Sequence, residues 1–301
     1  MGMARRFRES TRANYVLLVA GIVLFLSSSI YLTVFPLGSS QGSRFGNVIY
    51  EATSDYAQIR VREKGTVRSL LFLDRHGVEQ CQSSIDLAAP GTSQLRYAKG
   101  LFSSFLFRHP QKRILIVGLG AGGMVRYLNH NFPEMMVEAV EIDPVVVAVA
   151  AEYFQTVPGP KTVLHTADAF AFFNDDHGLY DAIYMDAFLR PPADVTLEEK
   201  AKRLKTEAFL HELKSHLLPG GVIAFNLIEW EEGTPDDLAA IRTVFPETYL
   251  FGVPQSGNLA VIATTRDPAP SREELAETAV LLNRNAPADL DFSELVENLR
   301  D

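Results

Sequence analysis

From Ile114 the chain reads ILIVGLGAGGMVRYL, four apolar residues running into a cluster of glycines and then into a helix-like stretch. Glycine permits a tight strand-to-helix turn and lets the backbone come close to a ligand, while the helix that follows offers unpaired N–H groups at its N-terminus. Gly118, Gly120 and Gly123 satisfy the spacing GxGxxG. Alone, that spacing is weak. It fits a bare turn, a nicotinamide dinucleotide or another nucleoside equally well.

Downstream of the loop, strand-like and helix-like segments alternate. RILIVG is followed by a helix over residues 122–130, MVEAVEI by one over 144–154, and TVLHTA by DAFAFFN. YDAIYMDA then precedes a helix over about residues 206–217, which leads into GVIAFNL. Five strands with crossover helices predict an α/β, doubly wound, Rossmann-like sheet that is mostly parallel. ETYLFGV and LAVIATT, separated by a short turn, predict a closing hairpin. Upstream, NVIYEA, YAQIRVRE and RSLLFLD alternate between turn residues, the pattern of a small antiparallel sheet. The expected organisation is a basic segment 1–14, a transmembrane helix 15–35, a linker 36–46, a small β-domain 47–92, a nucleoside-binding catalytic domain 93–265 and a C-terminal helical tail 266–301.

With 47% hydrophobic and 22% charged residues, the chain has the makeup of a folded protein. Its net charge of −9 argues against a nucleic-acid partner, which calls for a basic face. Cys81 is the single cysteine and the 7 histidines show no HExxH spacing, so neither a disulfide framework nor a metal site is expected. Residues 15–35 carry no charge. About 20 apolar residues cross a bilayer core, so a single-pass anchor is expected there, with a cleaved signal peptide as the alternative. Arg5, Arg6, Arg8 and Arg12 precede the run and favour an N-terminus on the inside.

Three features weigh on the nature of the nucleotide. Glu141 closes the second strand in VEAVEIDP, where a carboxylate accepts hydrogen bonds from ribose hydroxyls. Asp168 in HTADAF follows the third strand, placed to accept from an adenine amino group and to cap the next helix. HLLPGGVIAFNL sets Pro219, Gly220 and Gly221 as a turn before the fifth strand, and with the closing hairpin this resembles class I methyltransferase-like domains.

The resemblance sharpens to one family. From about residue 48 to residue 265 the chain resembles the spermidine synthases, aminopropyltransferases with a small N-terminal β-domain on a methyltransferase-like fold. The matching segments are LFLD followed by EQC, Tyr97 ahead of the glycine-rich strand, VEIDPVVVAVAAEYF, TADAF and YDAIYMDAF. The resemblance implies Asp186 as the catalytic carboxylate, Glu141 at the ribose, Asp168 at the adenine and Tyr97 in the acceptor site. It also implies Gly118, Gly120 and Gly122 at the methionine-derived part of the nucleoside. The co-substrate is then S-adenosylmethionine or its decarboxylated form, with no metal. The expected partners are a small-molecule amine or other nucleophile, the membrane through residues 15–35 and, in a homodimer, a second copy of the chain. In such a sheet the first and fourth strands flank the topological switch point, which turns the glycine loop and Asp186 toward one crevice.

The pattern also breaks. Ala121 stands where the family has an aspartate that grips the donor's ammonium, Leu189 where it has a second aspartate, and Ala98 and Lys99 replace polar residues after the tyrosine. Each change removes a polar partner from a diamine pocket, and a buried ammonium without a partner is costly. Glu229, Trp230, Glu231 and Glu232 follow the fifth strand. A tryptophan face with carboxylates holds amine cations, which makes Glu229 and Trp230 candidate acceptor contacts, against a plain reading as a solvated acidic loop. Arg190-Pro191-Pro192 and TLEEKAKRLK occupy the place of the family's active-site flap. Three functions remain open: aminopropyl transfer, methyl transfer from intact S-adenosylmethionine, whose carboxylate Ala121 does not repel, and a non-catalytic membrane-tethered module that binds the nucleoside.

Overall fold

The computed structural model of the chain describes residues 44–89, 91–92, 96–187, 206–231 and 233–300. Among these residues two sheets form. The strands β1 Asn47–Thr53, β2 Gln58–Lys64, β3 Val67–Leu73 and β4 Glu79–Asp86 make an antiparallel sheet in chain order. Alternation predicts the first three. β4, EQCQSSID, has no apolar alternation to read, and Gln80 to Ile85 line a cavity.

The second sheet contains β5 Arg113–Val117, β6 Met136–Glu141, β7 Thr162–Thr166, β8 Tyr180–Met185 and β9 Leu217–Ile228, followed by β10 Thr248–Gly252 and β11 Asn258–Thr264. Its order is β10-β11-β9-β8-β5-β6-β7. β5 to β9 pair in parallel, and β10 and β11 form the antiparallel closing hairpin. β5 lies between β6 and β8, so the strand progression reverses there, as the doubly wound reading expects.

Burial on both faces explains why Ile114 to Val117 of β5 read as an unbroken apolar run. Ile114 and Ile116 enter a core with Phe102, Tyr127 and Leu128, while Leu115 and Val117 enter the opposite core with Phe172, Phe209 and Phe245. A third cluster joins Ile59, Val61, Leu70 and Ile85 of the small sheet to Ala121, Val146 and Phe154. That cluster holds the small sheet over the glycine loop. Pro219 to Gly221, expected as a turn, form a bulge within β9: Leu217 pairs with Tyr180, and the next pair is Val222 with Ala182.

The C-terminal stretch is core rather than appendage. Leu275 and Leu282 of the helix Arg272–Leu282 and Phe292 of the helix Phe292–Glu297 pack with Phe102 and Phe105. Beyond them Leu299 bridges to Phe251, and the Arg300 N–H donates to the Leu250 carbonyl at 2.8 Å, which covers the exposed edge of β10.

The expected single-pass membrane localisation is corrected. Among the described residues no helix is long and apolar enough to cross a membrane. Residues 15–35, Leu189, the flap segment 190–205 and Glu232 lie outside the described residues.

Candidate active site

A cavity of about 550 Å³ opens between the small sheet and the carboxyl ends of β5, β6, β7 and β8. Gly118, Gly120, Glu141, Asp168, Asp186 and Tyr97 all line it. Gly122 does not; Gly123 takes its place in the wall. Gly122 faces Thr156 instead, with φ +74° and a hypothetical Cβ only 2.2 Å from Cγ2 of that residue, so its part is in the turn.

The first glycine fastens the loop to the fourth strand. Gly118 has φ +97°, and a Cβ there would lie 2.6 Å from the Asp186 carbonyl oxygen. Glycine alone tolerates both conditions. The Asp186 N–H donates to the Val117 carbonyl at 2.9 Å, which sets this residue one step beyond the buried strand β8. The two elements of the switch point thereby share one short stretch of backbone contact.

Glu141 is held by backbone. Its Oε2 accepts from the Leu119 N–H at 2.9 Å and its Oε1 from the Asp143 N–H at 3.1 Å. Burial raises its pKa, and these bonds from backbone amides oppose the rise. Asp168 caps the helix Ala169–Phe173, accepting from the Phe170 N–H at 2.9 Å, while lining the cavity. Tyr56, from the turn between β1 and β2, lines the same end. Burial and then the carboxylates of Asp143, Asp55, Asp168 and Glu141 push its phenol upward.

Asp186 sits among neutral donors. The Tyr97 hydroxyl donates to Oδ2 at 3.0 Å and the Asn226 amide to Oδ1 at 2.8 Å. Burial pushes its pKa from the usual 3.8 up to about 7, against the lowering effect of those two bonds. Burial and the neighbouring carboxylate hold the Tyr97 phenol well above its ordinary value, so it stays a donor. A carboxylate poised near neutrality, desolvated and facing a cavity, is suited to accept a proton.

Other expected residues fall elsewhere. Ala121 is fully buried in the cluster under the small sheet, and its carbonyl accepts from the Thr156 hydroxyl at 2.8 Å. Ala98 is buried in a hydrophobic core that also takes in Phe102 and Tyr127, and Lys99 turns to Asp289, 3.0 Å from its carboxylate. Glu229 and Trp230 are corrected as acceptor contacts. Glu229 is paired with Arg300 at 2.6 Å outside the cavity, and Trp230 is 74% exposed and also absent from the cavity wall. The pair with Arg300, 71 residues away, is what turns Glu229 aside.

Asn226, Asn258, Gln80 and Gln82 also line the cavity and were not singled out from sequence. Asn226 did leave a signal: a lone amide inside the apolar run VIAFNLI, between the buried Phe225 and Leu227. Cys81, expected within the small sheet, is half-buried on the cavity wall. Among the described residues, no group of three or more His, Cys, Asp or Glu side chains is placed to hold a metal.

Residues 94–254, the stretch that holds Tyr97, the glycine loop, Glu141, Asp168 and Asp186, match the spermine/spermidine synthase domain. A polyamine aminopropyltransferase of Vibrio vulnificus is 31% identical over 285 residues, covering 92% of this chain and 88% of that protein. Among solved structures, human methyltransferase-like protein 13 in complex with SAH superposes with a TM-score of 0.56 at 26% identity, covering 64% of this chain and 92% of that one. A probable spermidine synthase from Corynebacterium glutamicum reaches a TM-score of 0.59 over 85% of this chain and 94% of that one, and at 19% identity it speaks for the fold.

Proposed function

Because this chain belongs to the spermine/spermidine synthase family, we propose that it is a transferase that moves an aminopropyl group from decarboxylated S-adenosylmethionine to a small amine. The glycine loop receives the sulfonium end of the nucleoside, Glu141 the ribose and Asp168 the adenine. The acceptor's nitrogen lone pair attacks the carbon beside the sulfonium. The carbon–sulfur bond breaks, methylthioadenosine leaves, and the proton shed by nitrogen passes to Asp186.

The observation that carries this reading is the setting of Asp186. It shares a cavity with Glu141 and Asp168, and burial brings its pKa to about 7, near the value a general base needs at neutral pH. Alignment of amine, carbon and sulfur supplies much of the rate, since the sulfonium is already a good leaving group.

A specific feature favours a second reading, methyl transfer from intact S-adenosylmethionine. The loop position expected to hold an aspartate is the buried, apolar Ala121, which repels no carboxylate. Purified protein incubated with each nucleoside and a panel of amines separates the two. Release of methylthioadenosine from the decarboxylated form supports aminopropyl transfer. Binding of the carboxylated form alone, with S-adenosylhomocysteine as product, overturns it.

A further inference from the structure

Behind Asp186 runs a file of amides that the transfer reaction itself does not account for. The Ser256 hydroxyl donates to Oδ1 of Asn258; Nδ2 of Asn258 donates to Oδ1 of Asn226 at 2.9 Å; and Nδ2 of Asn226 donates to Oδ1 of Asp186 at 2.8 Å. The sheet register puts these groups within reach. Asn226 on β9 faces Ala260 on β11, and Asn258 faces Ile228, so the two asparagines are diagonal neighbours on one face. Asn226 is only 5% exposed, where an unsatisfied amide is expensive, and both ends of its side chain are bonded.

The direction of the file matters. An amide can turn over and present its carbonyl where its N–H₂ stood. With Oδ1 of Asn226 occupied by the Asn258 donor, its N–H₂ is committed to Asp186. We infer that Asn226 and Asn258 are positioning residues, which hold the Asp186 carboxylate in its ionised, cavity-facing form by locking a donor against it. The inference rests on Asp186 being the base of the proposed transfer. It adds that this base is set from the β10–β11 hairpin, whose Gln255 and Ser256 also line the cavity.

The groups that face Asp186 are few. The helix Arg96–Leu101 offers the Tyr97 hydroxyl, with Cys81 of β4 acting on that phenol, and β9 offers the Asn226 amide. Loss of one donor to a carboxylate therefore has little to compensate it among the described residues, and it raises the pKa.

The test uses the full chain with Asn258→Ala and, as an isosteric second variant that keeps the packing, Asn226→Asp. Two readouts are taken: the Asp186 carboxyl titration by NMR of carbon-13-labelled aspartate, and the pH profile of kcat with decarboxylated S-adenosylmethionine and an amine. Asn258→Ala is expected to move both upward by about one pH unit, which from a starting pKa of about 7 is an about fivefold loss of turnover at pH 7 that is recovered in alkali. Asn226→Asp sets a second carboxylate against the first and moves both further. Titration curves that stay in place in both variants overturn the inference, whatever happens to stability. If the wild-type chain releases no methylthioadenosine with any amine, the proposed function fails, while the NMR titration still decides the amide file.

Discussion

Asp186→Asn is expected to stabilise the protein while silencing it. Burial raises the carboxyl's pKa from 3.8 to about 7 in the folded chain, so between those values the folded state keeps a proton that the unfolded state has released. The stability this group contributes is complete below its unfolded pKa and is lost as the pH climbs through its folded pKa. Some three pH units at about 1.4 kcal/mol each put the loss at roughly 4 kcal/mol once both states are ionised, an upper figure because the residue borders a cavity. Asparagine has the same shape and no charge. Its carbonyl can accept from Asn226, and its amide can donate to the Tyr97 oxygen. Thermal unfolding of both chains from about pH 5 to pH 8 then reads the difference. The variant's advantage should widen by roughly 2–3 kcal/mol over that range, on the order of several degrees in melting temperature for a chain of this size. Turnover should disappear while nucleoside affinity, measured by titration calorimetry, stays within about threefold, since the nucleoside contacts lie elsewhere. A stability gap that is flat with pH, or a variant weaker than wild type at pH 8, refutes the assignment of a desolvated base.

Gly118→Ala places a methyl group 2.6 Å from the Asp186 carbonyl at φ +97°. The left-handed backbone alone costs about 1–2 kcal/mol, and the shift forced on Asp186 should lower kcat by about 100-fold, read by melting temperature and by product release. Glu141→Gln weakens the acceptor for ribose hydroxyls, and nucleoside affinity by calorimetry should fall by about tenfold or more, as hydrogen bonds to a charged group contribute about 1.5–3 kcal/mol. Glu229→Ala and Trp230→Ala should leave kcat/KM within about twofold of wild type, because an exposed ion pair and an exposed ring outside the cavity contribute little.

Local pattern and distant contact divide what the chain discloses in advance. β5 and β8 are legible because both their faces are buried, so Ile114 to Val117 and Ala182 to Met185 read as apolar runs, and Asp186, the carboxylate that follows β8, stands out. Glu141 and Asp186 reach one cavity because parallel strands deliver their ends to the same side of the sheet. β4 is hidden because EQCQSSID keeps no apolar alternation, its residues from Gln80 to Ile85 lining a cavity. Asn226 and Asn258 become partners only through the pairing of β9 with β11, which no short window of sequence displays. Trp230 and Glu229 mislead for the converse reason: their spacing suits a cation, but Arg300 arrives from the end of the chain and takes Glu229. The bulge at Pro219 to Gly221 carries turn residues inside a strand, where turn chemistry and ladder pairing coexist.

The most direct measurement is a crystal structure of the chain soaked with methylthioadenosine. The account predicts the sugar hydroxyls on the Glu141 carboxylate, the base edge at Asp168, and the thioether sulfur over the glycine loop with its methylene side open to Asp186. A nucleoside lodged elsewhere, or bound in this cavity with its sulfur turned away from Asp186, contradicts it.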